Sequence, residues 1–102
     1  MKFETKAIHG VRTANKNTEN WGSTINMAST FPIEEYGVEQ EFEYGRVSNP
    51  TRKDFETLIA KLESGKYGFG FASGMAATSS VFTMFKAGDH FVFGLDIYGG
   101  TY

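Results

Sequence analysis

Apolar residues follow a helical period most clearly over positions 55 to 62, where Phe55, Leu58, Ile59 and Leu62 recur at i, i+3, i+4 and i+7 and draw one stripe. Start and stop signals flank it. Asn49-Pro50-Thr51 opens the helix, with Thr51 as the capping side chain and Asp54 three residues on, where the positive end of the dipole favours an acid. Lys61, Ser64 and Gly65 close it in the order expected at a C-terminus. Tyr67 to Ala72 is a short run of aromatics and glycines that predicts a buried strand. Residues 75 to 86 predict a second helix, with Ala76, Ala77, Val81, Met84 and Phe85 as its apolar surface. Gly88-Asp89 turns the chain, Asp89 capping the turn, and His90 to Gly94 predicts another strand. Helix, strand, helix, strand is the alternation of an α/β layer built on a mainly parallel sheet.

Residues 1 to 43 lack a sustained period of 2 or 3.6. Asn15, Asn17, Asn20 and Gly22 are interspersed with charges, and Pro32 holds Phe31 in extended backbone. Trp21, Ile25, Met27, Phe31, Tyr36 and Phe42 give the stretch an apolar content that disordered chains lack. It reads as an ordered arm that packs on something else, such as another subunit.

Composition narrows the class. The 102 residues, enough for one small domain, include 10 Phe and 5 Tyr, an aromatic load that needs partners to bury it. A formal net charge of −2 gives no electrostatic reason to expect nucleic acid or an acidic membrane. With no cysteine, disulfides and thiolate metal sites are excluded. His9 and His90 are isolated and have no metal-ligand spacing, so no metal is expected, and Glu34, Glu35, Glu39, Glu41 and Glu43 read as a solvated acidic surface. No segment approaches the ~18 apolar residues of a membrane span, and a cytoplasmic location is expected. The last residues, Asp96 to Tyr102, carry the punctuation of a loop opening a new element, so the chain reads as truncated there.

In a sheet of this kind ligands sit where a strand turns into a helix, and Ser73-Gly74-Met75 lies at such a junction. Gly74 lets backbone N–H groups approach an anion, the first turn of the helix has unpaired donors, and the Ser73 hydroxyl adds one more. A phosphate fits this chemistry; an ordinary capped helix start fits the same three residues. Arg46, just before the first helix, carries a fork of donors that matches phosphate, although a plain surface arginine reads the same way. Tyr98 follows the second strand and would emerge on the edge that holds Ser73. There its ring either stacks on a planar ligand or is simply half-buried. No nucleophile and base pair up in sequence.

Taken together these residues resemble a known family. Tyr44-Gly45-Arg46-Val47-Ser48-Asn49-Pro50-Thr51, Leu62-Glu63, Phe71-Ala72-Ser73-Gly74-Met75-Ala76-Ala77, Gly88-Asp89-His90 and Tyr98-Gly99-Gly100-Thr101-Tyr102, in that order, are similar to the pyridoxal-phosphate enzymes of cysteine and methionine metabolism. Ala28-Ser29-Thr30-Phe31 also suits that family's N-terminal arm.

The resemblance implies a fold-type-I architecture, like that of aspartate aminotransferase. Residues 1–43 would form an arm contacting a neighbouring subunit, and residues 44–102 would begin the α/β cofactor domain. It implies that Gly74 and Met75 donate backbone N–H groups to the phosphate of pyridoxal 5'-phosphate, with Ser73 beside them. Tyr98 would stack on the pyridine ring, and Tyr44 and Arg46 would reach the phosphate of a neighbouring subunit's cofactor within a homotetramer. Tyr98 or Tyr44 would also take a supporting acid or base role in catalysis.

The implied reaction is γ-elimination or γ-replacement on an amino-acid substrate, as in cystathionine γ-synthases and γ-lyases. O-acetylhomoserine sulfhydrylase, methionine γ-lyase and cystathionine β-lyase are the alternatives within the family. A non-catalytic domain binding a phosphate or a partner is the alternative outside it. The family's Schiff-base lysine and the aspartate facing the pyridine nitrogen have no match in these residues, so the stretch alone is expected to be inactive.

Overall fold

Residues 1–11 and 22–102 are described by a computed structural model, with three helices among them: α1 (Phe3–His9), α2 (Pro50–Leu62) and α3 (Gly74–Phe82). They fall into two compact units, Met1–Phe69 and Gly70–Tyr102. Asn15, Asn17, Asn20 and Trp21, which the arm reading used, lie outside the described residues.

The first unit is organised on α2. Its N-cap is Asn49, not Thr51: the Asn49 backbone is extended and its side-chain oxygen accepts the Thr51 N–H at 2.8 Å. Pro50 explains the shift, because its fixed φ and missing N–H suit the first helical position and start the helix two residues early. Asp54 then falls beyond the first turn, where it is buried. The other end closes as expected from Ser64 and Gly65. Ser64 takes the left-handed conformation (φ 58°), and the Gly65 N–H reaches back to the Ala60 carbonyl at 2.7 Å.

Thr51, freed from capping, pins the arm. Its hydroxyl accepts the Asn26 N–H at 2.7 Å and donates to the Thr24 carbonyl at 3.3 Å, while Asn49 Nδ2 donates to the Asn26 carbonyl at 3.3 Å. A little farther on, the chain folds back on itself at an isolated antiparallel bridge, Thr30 to Tyr44. The Phe31 N–H meets the Glu43 carbonyl at 3.0 Å and the Gly45 N–H meets the Ser29 carbonyl at 2.7 Å. Phe31 and Phe42 pack beside it with ring centroids 5.8 Å apart.

Helix α1 has no counterpart in the sequence reading. Seven residues span about two turns, too few for a period to register, and such a helix depends on packing rather than propensity. It packs on α2, where Lys61 Nζ donates to the Gly10 carbonyl at 2.7 Å.

In the second unit α3 stops at Phe82, four residues short of the predicted end at 86. From there i→i+3 bonds replace the helical ladder: the Met84 N–H goes to the Val81 carbonyl at 3.1 Å and the Phe85 N–H to the Phe82 carbonyl at 3.1 Å. The turn at Gly88 (φ +101°) is capped as expected, Asp89 Oδ2 accepting the Lys86 N–H at 2.8 Å. Phe91 and Phe93 lie on one side of an extended segment, stacked at 5.9 Å, and meet the Phe82 ring edge-on at 5.3 and 5.9 Å.

Neither Tyr67–Ala72 nor His90–Gly94 is a strand; no β-ladder occurs among the described residues. An extended segment becomes a strand only when a neighbour takes up its backbone N–H and C=O groups, and parallel neighbours come from distant parts of a chain. The alternation is there, with Val92 90% exposed on the side opposite Phe91 and Phe93, but the pairing is not. Burial is correspondingly low. Val11 and Ala60 are the buried apolar residues among those described, and the α2 stripe stays open, with Phe55 55% exposed.

Candidate functional site

The Gly70–Tyr102 unit brings four of the expected site residues to one place. Ser73, Gly74, Met75 and Tyr98 line a concavity of about 470 Å³, together with Thr78 and Thr101. It forms because two signals meet there. Ser73 starts α3, and the turn Tyr98 to Thr101, closed by the Thr101 N–H on the Tyr98 carbonyl at 2.8 Å, faces that start. Thr101 Oγ1 donates to Met75 Sδ at 3.5 Å, a weak bond that ties turn to helix.

Ser73 caps α3, and its O–H remains able to donate. Its Oγ accepts the Ala76 N–H at 3.1 Å, so the hydroxyl caps the helix, and its carbonyl takes the Ala77 N–H at 3.1 Å. With those two donors satisfied, the N–H groups of Gly74 and Met75 have no hydrogen-bond partner among the described residues. No acidic residue stands in the first turn of α3, so no carboxylate competes for the positive end of its dipole. A Cβ built on Gly74 would meet nothing within 4 Å, so there is open space beside its Cα. Thr78 Oγ1 donates back to the Gly74 carbonyl at 3.0 Å and steadies the turn.

Tyr44 and Arg46 are placed within the other unit. Tyr44 sits in the antiparallel bridge, and the Arg46 guanidinium lies 4.9 Å above its ring, an arrangement that holds the pair together. The next basic residue along, Arg52, is occupied: it donates to the Arg46 and Val47 carbonyls and pairs with Glu56 at 3.8 Å. Lys53 is held by Glu41 at 2.7 Å, whose carboxylate, as hydrogen-bond acceptor and as charge, raises the lysine's pKa above its ordinary value. Arg46 makes no such ion pair among the described residues.

Thr78 and Thr101 were not singled out from sequence. Their signals were present: Thr78 stands one turn beyond Gly74, and Thr101 lies next to the Gly99-Gly100 pair that follows Tyr98. Among the described residues no group of His, Cys, Asp and Glu could hold a metal ion, and no helix is long and apolar enough to cross a membrane.

A helix start with two N–H groups, a concavity beside them and an aromatic wall at one side is the arrangement that a flat ligand bearing a phosphate would need. Residues 4–102 match the family described as Cys/Met metabolism PLP-dependent enzyme, and the chain belongs to that family. Its relatives include cystathionine gamma-lyase of Bacillus subtilis (strain 168), 43% identical across 100% of this chain and 27% of that protein. Cystathionine beta-lyase of Lactococcus lactis subsp. cremoris (strain MG1363) is 43% identical across 98% of this chain and 26% of that protein. A crystal structure of cystathionine gamma-lyase from Lactobacillus plantarum, complexed with L-serine, superposes with a TM-score of 0.83 at 50% identity, covering 99% of this chain and 26% of that one. The chain thus spans about a quarter of the length of these relatives.

Proposed function

We propose that these residues supply the phosphate-holding side of a pyridoxal 5'-phosphate site in a trans-sulfuration enzyme acting on sulfur amino acids or activated homoserine. Its reaction would be of the cystathionine γ-lyase or γ-synthase type, with the β-lyase reaction as the nearest alternative, since relatives bearing both lyase names reach 43% identity. The carrying observation is the concavity where Gly74 and Met75 present their free N–H groups beside the Tyr98 ring. When bound, the cofactor supplies an electron sink for carbanion chemistry at the substrate amino acid.

In this reading Gly74 and Met75 donate N–H groups to the cofactor phosphate, and Ser73 keeps those donors aimed by capping α3. Tyr98 covers the face of the cofactor ring, and its phenol is available to hold or pass a proton near the substrate. Tyr44 and Arg46 act from a neighbouring subunit on that subunit's partner site, so the enzyme is a homo-oligomer, of tetrameric type, and cytoplasmic. Residues 1–43 serve as the arm against that neighbour and residues 44–102 begin the cofactor domain. There, segments 67–72 and 90–94 become strands of the parallel sheet of a fold-type-I architecture once their neighbours are present. The L-serine complex of the Lactobacillus plantarum enzyme supports a small amino acid as substrate.

The full-length protein should carry the yellow absorption of bound cofactor, and Arg46→Ala should weaken cofactor retention by roughly 2–4 kcal/mol, the loss of a buried charge-assisted pair. A colourless protein that takes up no cofactor on titration would overturn the reading. Unchanged affinity in Arg46→Ala would remove Arg46 from the site.

A further inference from the structure

The turn that carries Tyr98 contains two adjacent glycines, and they are not equivalent. Turn backbone asks for glycine chiefly where φ is positive, and among the glycines described only Gly37 and Gly88 have positive φ. Neither Gly99 nor Gly100 is therefore demanded by the Tyr98–Thr101 turn itself. A Cβ at position 99 would meet nothing within 4 Å. A Cβ at position 100 would stand 2.5 Å from Tyr98 Cε1, 3.1 Å from Cδ1 and 3.2 Å from Cζ. Carbon atoms in contact sit about 3.5–4.0 Å apart, so the ring and a side chain at 100 cannot occupy these positions together. The Tyr98 ring rests on the space that Gly100 leaves empty.

We propose that Gly100 is a positioning residue for Tyr98, its missing side chain setting the angle at which the ring closes the Ser73–Met75 concavity. Tyr98 is 72% exposed, so when challenged it is the ring that yields rather than the turn backbone. A side chain at 100 therefore swings the phenol out of its present rotamer while leaving the turn, and its Thr101 contacts with Tyr98 and Met75, in place. The consequence is confined to what the ring covers. This inference rests on the reading of Tyr98 as the wall of the cofactor site, and its test separates the two.

The experiment uses full-length protein, stripped of cofactor and titrated with pyridoxal 5'-phosphate. The readouts are the dissociation constant, the induced circular dichroism of the bound cofactor and the thermal midpoint. Four variants are compared: Gly99→Ala, Gly100→Ala, Tyr98→Ala and the double variant Tyr98→Ala/Gly100→Ala. Gly100→Ala should weaken cofactor binding by about 3- to 10-fold, the range an off-rotamer ring accounts for, and change the dichroic band at a nearly unchanged midpoint. Gly99→Ala should match wild type in all three. In the Tyr98→Ala background the Gly100 substitution should add nothing, because the ring through which it acts is gone. If Tyr98→Ala weakens binding and Gly100→Ala does not, the positioning role is wrong. If Gly100→Ala weakens binding equally with and without the ring, glycine at 100 acts on something else and the inference fails as well. If Tyr98→Ala itself leaves binding and dichroism untouched, it is the reading of Tyr98 as the cofactor wall that fails.

Discussion

Replacing Ser73 separates two roles that the sequence left superimposed, a hydroxyl that donates to a phosphate and a hydroxyl that caps a helix. In the structure Ser73 Oγ accepts the Ala76 N–H at 3.1 Å, so its oxygen caps the helix while its O–H still has a proton to give, and substitution by alanine or glycine asks which of the two cofactor binding feels. A serine cap replaced by alanine costs about 1 kcal/mol, whereas replacement by glycine, itself a fair cap, costs only a few tenths. Because the cap keeps the Gly74 and Met75 N–H groups aimed, that energy passes to ligand binding. Cofactor affinity should fall about 5-fold in Ser73→Ala and less than about 2-fold in Ser73→Gly. A hydroxyl donating directly to a phosphate behaves otherwise. Both substitutions delete a charge-assisted bond of roughly 1.5–3 kcal/mol, and both should then lose about 10-fold or more. Titration of pyridoxal 5'-phosphate into cofactor-free full-length protein, wild type and the two variants side by side, distinguishes the cases. Equal and large losses in alanine and glycine would refute the claim that binding feels only the cap and would show the O–H donating to the phosphate.

Two further predictions test the scaffold in the full-length protein. Thr51→Val keeps the shape but removes the acceptor of the Asn26 N–H, at a cost of about 1–2 kcal/mol at this part-buried position. Hydrogen exchange at Asn26 should accelerate about 5- to 30-fold, and an unchanged rate would mean that Thr51 does not hold the arm. Gly68→Ala would drive a Cβ into the Glu56 carbonyl, backbone that cannot swing aside, so the chemical denaturation midpoint should drop by the equivalent of about 1–3 kcal/mol; wild-type stability would show that residues 67–69 do not lie against α2.

Local order was the most readable part. The α2 stripe, its Ser64-Gly65 stop, the start of α3 at Ser73 and the Asp89 turn all follow from short-range rules, and each appears within a residue of its predicted place. The departures have local causes too: Pro50 moved the α2 cap to Asn49, and tight i→i+3 bonds after Phe82 ended α3 early. Helix α1 was illegible because its support, the contact with α2, comes from residues about fifty positions away. Strand pairing was equally beyond reach, since alternation marks the faces of a segment but not the neighbour that completes a ladder.

The candidate site divides in the same way. Sequence by itself determined which residues could serve a phosphate and a flat ring, Ser73, Gly74, Met75 and Tyr98 with Arg46, because residue type fixes donors, charge and shape, while Tyr44 entered only through the family resemblance. Tertiary structure alone decided that the Ser73 oxygen accepts the Ala76 N–H, that Thr78 and Thr101 join the concavity, and that Gly100 rather than Gly99 lies under the Tyr98 ring. Those outcomes depend on distances between groups that the chain brings together only by folding, and a distance is not a property of any residue alone.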